Sequence, residues 1–288
     1  MRPGFWKRAG WRVLVYGTVL FALLPFSFSQ VMLRLPRQPA GRVYPPFEEA
    51  FVVSDAGRLR TWTVRGRPDR AAVVVVHGLG DTLESYTDHA RTLHRRGHTV
   101  LLLDLRAHGG SEGRDSTLGA REKADVAAAA RHLRERELAG AGIVYMGFSL
   151  GSAAVMGAAP DAPDTRAVIL EAPFDTARAT IAHHGWLLYR IPAWVPLGRL
   201  ALAVAGWRAG FDPDDVDLVK AAGRLRAPLM TIVDGDDPRM PEAVVRRVHD
   251  AHAGPKRMWV APGVTHVGAI LRADYWAQVT AFLDENGL

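Results

Sequence analysis

The sequence predicts an α/β fold: a mostly parallel central sheet with helices on both faces, a helical cap insertion and an N-terminal transmembrane helix. Three observations predict it. Short β-branched runs alternate with longer helical patterns from residue 71 onward, and that alternation builds parallel sheets. The run 71–76, Ala-Ala-Val-Val-Val-Val, is apolar at every position, the mark of a strand buried on both faces. Residues 13–33 hold no charged side chain. At about 1.5 Å per residue they reach about 30 Å, the thickness of a hydrocarbon core.

The elements follow in order. Arg12 and Arg34 bound the apolar stretch, and Trp6 and Trp11 stand where interfacial rings are expected. The arm holding Arg2, Lys7, Arg8 and Arg12 predicts a cytoplasmic N-terminus and an extracytoplasmic remainder, an asymmetry that Arg34, Arg37 and Arg42 weaken. The alternatives for residues 1–34 are a soluble N-terminal helix and a cleaved signal peptide, the latter because Ser27 and Ser29 form a small-x-small pattern before Gln30, and its product would be secreted. Residues 35–50 contain four prolines and predict an extended linker. The folded domain is expected over 51–288.

Residues 51–54 and 59–64 read as strands around the turn Asp55-Ala56-Gly57. Residues 83–96 read as a helix stopped by Gly97, 99–103 as a buried strand, and 119–137 as an Ala-rich helix. Strands follow at 142–146 and 167–170, with a helix of small residues at 150–159. Residues 176–224 break the rhythm with helical patterns carrying Trp186, Tyr189, Trp194 and Trp207, and are read as a cap. The alternation resumes with strands at 228–233 and 257–260 and helices at 241–252 and 274–286.

Charge excludes one partner class. Seven of the 36 basic residues and none of the 30 acidic ones fall in residues 1–47, leaving the remainder near neutral. No basic stripe with interleaved aromatics marks a nucleic-acid surface, and no nucleic-acid partner is expected. The chain has no cysteine, which removes disulfides, thiolate catalysis and thiolate metal sites together.

The chemistry concentrates in a few residues. Gly147-Phe148-Ser149-Leu150-Gly151 is a G-x-S-x-G motif between a buried strand and a helix, where a sharp turn lifts a serine Oγ into the open. The small residues Gly147, Gly151, Ser152, Ala153 and Ala154 let strand and helix pass closely. A serine hydroxyl needs a base, and His266, just past the last short strand, is the candidate. The base needs an acid to fix its tautomer. Asp237 is favoured because it stands four residues before Pro241, where the next helix starts; Asp236 is the alternative, with Asp234 and Asp175 behind it. A developing oxyanion needs two backbone donors. Leu150 follows the nucleophile, and Leu79 lies in the loop His77-Gly78-Leu79-Gly80.

With these residues in hand, the chain resembles the α/β-hydrolase superfamily, most of all its bacterial, single-span members with a compact helical cap. The likeness spans about residues 50–288. It rests on His77 to Gly80, Asp104-Leu105-Arg106-Ala107-His108-Gly109-Gly110-Ser111, the elbow at 147–151, Gly235 to Pro241, and Gly263 with His266. The order Ser, Asp, His also fits. Two departures stand out: Ala107 replaces the family's usual glycine, and the acid loop is one residue shorter, which keeps both Asp236 and Asp237 open.

Other polar residues are expected to be structural. Asp104, Arg106 and Ser111 are read as stabilising their own loop, and His108 as a loop histidine near the mouth of the site. His183 and His184 are adjacent on a helix and point apart, a poor chelate. His249 and His252 are read as solvent-facing. Neither cofactor nor catalytic metal is expected. The function expected is hydrolysis of a small acyl ester, thioester or lipid-like substrate by a membrane-tethered serine hydrolase, with residues 13–33 as the membrane contact. A serine peptidase on the same scaffold and a non-catalytic binding protein are the alternatives.

Overall fold

The computed structural model describes residues 5–288; Arg2 of the basic arm lies outside them. Helix α1 (Phe5–Leu33) comes first and is long and apolar enough to cross a membrane. The sheet strands are β1 (Glu48–Ser54), β2 (Gly57–Val64), β3 (Ala72–Val76), β4 (Val100–Leu103), β5 (Ile143–Phe148), β6 (Thr165–Glu171), β7 (Leu229–Asp234) and β8 (Lys256–Ala261). They lie in the order β1-β2-β4-β3-β5-β6-β7-β8. Strand β2 runs antiparallel to β1 and β4, and the pairings from β4 to β8 are parallel.

Period-2 alternation divides each strand between two cores. Val74, Val76, Leu101, Leu103, Tyr145 and Leu170 face α3 (Glu122–Glu135), α4 (Leu150–Ala158) and α7 (Leu218–Arg224). Val73, Val75, Leu102, Met146 and Ile169 face α2 (Thr87–Arg95) and α9 (Tyr275–Glu285). Every residue of β3 is buried, which explains its unbroken valines. Each such side chain contributes about 1.5–3 kcal/mol on leaving water.

Local chemistry sets the ends of several elements. The segment 83–96 begins as a 3-10 turn, Leu83–Tyr86, because the Asp104 carboxylate holds the Leu83 N–H at 2.8 Å. Helix α3 starts at Glu122 rather than near residue 119. The Glu122 carboxylate folds back to accept from Thr117 N, Gly119 N and the hydroxyls of Ser116 and Thr117. Residues 176–224 are not uniform. Helices α5 (Ala177–Tyr189) and α6 (Leu197–Ala209) protrude, while α7 packs on α4 and on α8 (Glu242–Ala251).

The segment between α1 and β1 is held along the domain as a strap. Arg37 donates to the carbonyls of Ser111 and Gly113, Gln38 to Gly80 O, and Gly41 N to Glu84. Tyr44 and Phe47 pack their rings on Trp62. The last turns of α1 also pack on the cap: Leu33 clusters with Ala205 and Ala209, and Arg208 donates to Ser29 Oγ and Gln30 Oε1.

His249 and His252 correct the expectation of solvent-facing rings. Both are buried, on the stripe of α8 and its C-cap that turns inward with Val245 and Val248. His249 Nδ1 lies 2.9 Å from Thr231 Oγ1 inside the sheet layer. The face of α8 that carries Val245 and Val248 into the core carries His249 with it.

Candidate active site

The elbow is built by two glycines. A Cβ at Gly147 would stand 2.6 Å from Gly151 O, and one at Gly151 would stand 2.2 Å from Val76 O. Only bare backbone fits, so α4 crosses directly above the ends of β3 and β5. Ser149 takes φ 50 and ψ −110, a strained conformation that turns its side chain out of the sheet. Ser149 N is fixed by Glu171 O at 2.9 Å, and Ser152 Oγ bridges Gly147 O and Glu171 O.

Three side chains from three loops meet at this point. His266 Nε2 lies 2.9 Å from Ser149 Oγ, and His266 Nδ1 lies 2.6 Å from Asp237 Oδ2. With the Nδ1 proton donated to the carboxylate, Nε2 presents its lone pair to the serine hydroxyl. Burial pushes the Asp237 carboxyl up, but the hydrogen bond and charge of His266 and the N–H groups of Arg239 and Met240 outweigh it. The group is held below the usual carboxylate range. Asp236 is exposed, and its N–H donates to Val264 O on the neighbouring loop. Asp175 is committed to Arg247 at 2.8 Å.

Asp234 braces the loop that follows His266. Its two oxygens accept the N–H groups of Val267, Gly268 and Ala269, the three residues after His266. That clamp holds Val267 at φ 54, a region a β-branched residue seldom occupies. Asp234, Asp237 and His266 place possible metal-ligand atoms within 4.8 Å of one another. The same carboxylates hold hydrogen bonds, Asp234 from these N–H groups and Asp237 from Arg239 N and His266.

The opposite wall is the loop after β3. A Cβ on Gly78 would lie 3.6 Å from Ser149 Cβ, so this backbone runs beside the serine. His77 sets its orientation. Its Nε2 accepts from Leu105 N at 3.1 Å, which leaves the proton on Nδ1 to donate to Gly78 O at 2.7 Å. The C=O and N–H of one trans peptide point in opposite directions. Holding Gly78 O inward therefore turns the Leu79 N–H outward. Leu150 opens α4, where N–H groups have no partner within the helix and the dipole is positive.

Sequence reasoning missed His77, Asp234 and Glu171 as supports. Glu171 is buried, and burial next to Asp234 pushes its carboxyl well above the usual range. Its one visible signal was an acid closing an otherwise apolar strand. Asp104 and Arg106 are structural as expected. Asp104 accepts from Leu83 N and Gly110 N, and burial raises it to about 6. Arg106 pairs with Asp125 and Asp55. His108 is buried against His77, with ring centroids 5.0 Å apart. In the cap, His183 Nε2 reaches Pro238 O at 2.7 Å, which docks α5 on the loop that carries Asp237. A cavity of about 650 Å³ between α3, α4 and α7 is lined by none of the three meeting residues.

Comparison with known proteins agrees with this architecture. The family described as serine aminopeptidase, S33, matches residues 67–204, a span that includes the elbow but stops before Asp237 and His266. The protein MT2364 of Mycobacterium tuberculosis (strain CDC 1551 / Oshkosh), itself uncharacterised, is 34% identical over 264 residues, covering 88% of this chain and 86% of its own. YqkD of Bacillus subtilis, also uncharacterised, is 24% identical over 84% of this chain and 82% of its own. Among solved structures, the esterase Pf2001 of Pyrococcus furiosus superposes with a TM-score of 0.71 at 19% identity, covering 88% of this chain and 98% of that one. The acetyl xylan esterase of Paenibacillus sp. R4 gives 0.67 at 16% identity, over 92% and 93%. The sheet order, the strand–Ser149–helix elbow and these relatives agree, and the chain belongs to the α/β-hydrolase superfamily.

Proposed function

We propose that the protein is a membrane-tethered serine hydrolase of carboxylic ester or thioester bonds. The supporting observation is the unbroken line Asp237 Oδ2, His266 Nδ1, His266 Nε2, Ser149 Oγ, with links of 2.6 and 2.9 Å. His266 Nε2 takes the hydroxyl proton as Ser149 Oγ bonds to the acyl carbon. The carbonyl oxygen gains charge against the N–H groups of Leu79 and Leu150. His266 then returns the proton to the leaving oxygen or sulfur, and the acyl carbon stays on Ser149. Water repeats the sequence: its proton goes to His266, its oxygen to the acyl carbon, and Ser149 regains its proton. Helix α1 is the tether, with Lys7, Arg8 and Arg12 on the cytoplasmic side.

A peptidase reading is favoured by the description of the matching family. An aminopeptidase must hold a substrate ammonium, and the chain from 176 to 211, which includes both protruding cap helices, holds no acidic residue for it. The test is turnover of p-nitrophenyl esters of graded chain length by the full chain in detergent, beside Ser149→Ala. Ester cleavage lost in the variant is the expected result; peptide cleavage without ester turnover replaces this reading with the peptidase.

A further inference from the structure

Between Asp175 and Asp212 the chain carries four arginines, three tryptophans and no acid. The near-neutral sum over the folded domain hides this local excess. The structure gathers much of it at the tip where α5 ends and α6 begins. Trp186, Leu188 and Tyr189 are exposed there, and Trp194 is 83% exposed; Trp207, near the end of α6, is 81% exposed. Arg190 lies over the Trp186 ring at 5.8 Å. Apolar rings interleaved with cations suit the headgroup–acyl boundary of an anionic bilayer, where rings enter the boundary and cations meet phosphates.

Position supports the same partner. Tyr189 meets Phe28 of α1 edge-on at 5.3 Å, and Arg208 covers Phe26 at 4.2 Å. The exposed tip is therefore continuous with the helix read as the membrane span. The other end of this connection is the active site, through His183 on Pro238 O beside Asp237. From His183 to Tyr189 the rise along α5 is about 9 Å.

We propose that the α5–α6 tip docks on an anionic lipid surface, so that Ser149 opens toward substrate held in the bilayer. The positional part of this argument rests on the reading of α1 as a span; the exposed rings and cations of the tip do not. The chain has no cysteine, so single cysteines can report each surface separately. Leu20→Cys, Leu188→Cys, Trp194→Cys and, at the far end of α3, Glu135→Cys would carry an environment-sensitive fluorophore. The full chain would be reconstituted in phosphatidylcholine–phosphatidylglycerol vesicles containing spin-labelled acyl chains. The expected result is quenching and blue-shifted emission at 20, 188 and 194, with 135 unaffected. Quenching at 20 but not at 188 and 194 overturns the docking and leaves the span standing. Quenching at 188 and 194 but not at 20 overturns the span and keeps the docking. Shielding of 194 from aqueous iodide without lipid quenching means that protein, a second copy included, covers the tip, and overturns the proposal. Arg190→Glu with Trp194→Glu should lower hydrolysis of a vesicle-borne long-chain ester roughly tenfold, and leave a soluble short-chain ester unchanged. Equal losses on both substrates would mean that the tip acts through the fold alone, and would overturn the proposal.

Discussion

Asp236 and Asp237 differ by one position and by everything that matters to a base. Asp237 is buried with its carboxylate on His266, while Asp236 points to water. In the triad proposed, Asp237→Asn leaves the shape intact but favours the wrong imidazole tautomer, and kcat is expected to fall about 10⁴-fold. Asp236→Asn should stay near wild type in the same ester assay. Equal effects of the two substitutions would remove Asp237 from the proposed role. The distance to Pro241 favours Asp237 in the sequence but leaves Asp236 open, because the choice depends on which carboxylate a shortened loop turns inward. Ser149, Gly147 and Gly151 were legible, because close passage of backbone leaves its mark in residue size. Glu171 and Asp234 act through buried backbone groups, and the one mark they leave in the sequence is an acid closing an apolar strand.

At the scale of elements, the loop after β4 shows what the family departure does. Ala107 sits at φ 61, where a glycine is at ease and an alanine is strained. Its N–H is held by Glu112 O, and Arg106 beside it is locked between Asp125 and Asp55. The surrounding bonds impose the conformation on a residue that resists it. Ala107→Gly should raise stability by up to about 1 kcal/mol, relief of strain being partly offset by the freedom glycine has in the unfolded chain. A urea denaturation midpoint that falls instead would show that the alanine methyl packs usefully. Strands and helices were readable from period, since burial on one or two faces follows from it. The inward turn of His249 and His252 was not, because a partner such as Thr231 lies on another element.

Across the whole molecule, buried histidines tie stability to pH. His89 is enclosed by Tyr86, Phe148, Tyr275 and Trp276, and burial lowers its pKa from 6.5 to about 4. As pH falls from 6.5 toward 4 the unfolded chain takes up a proton that the folded one refuses, so stability drops through that window. His89→Phe removes this linkage. The stability difference between variant and wild type should widen in the variant's favour on acidification, by on the order of 3 kcal/mol between pH 7 and pH 4. A difference independent of pH would mean that the ring takes up its proton in the fold as readily as in the unfolded chain. Asp104 acts in the opposite sense: its carboxyl, raised to about 6, keeps its proton in the fold, so its contribution is present below 3.8 and lost as pH rises through 6.

If α1 is the tether proposed above, the strap and the packing of α1 on α6 turn that tether into a bracket. An enzyme on a loose leash samples the water around it, whereas one clamped at Leu33 and Arg208 holds its mouth at a set height above the leaflet. In the anchored hydrolase proposed here, the relevant substrate concentration is a mole fraction in two dimensions. Diluting a vesicle-borne ester with inert lipid at constant bulk amount should slow turnover in proportion, while adding water should leave it unchanged.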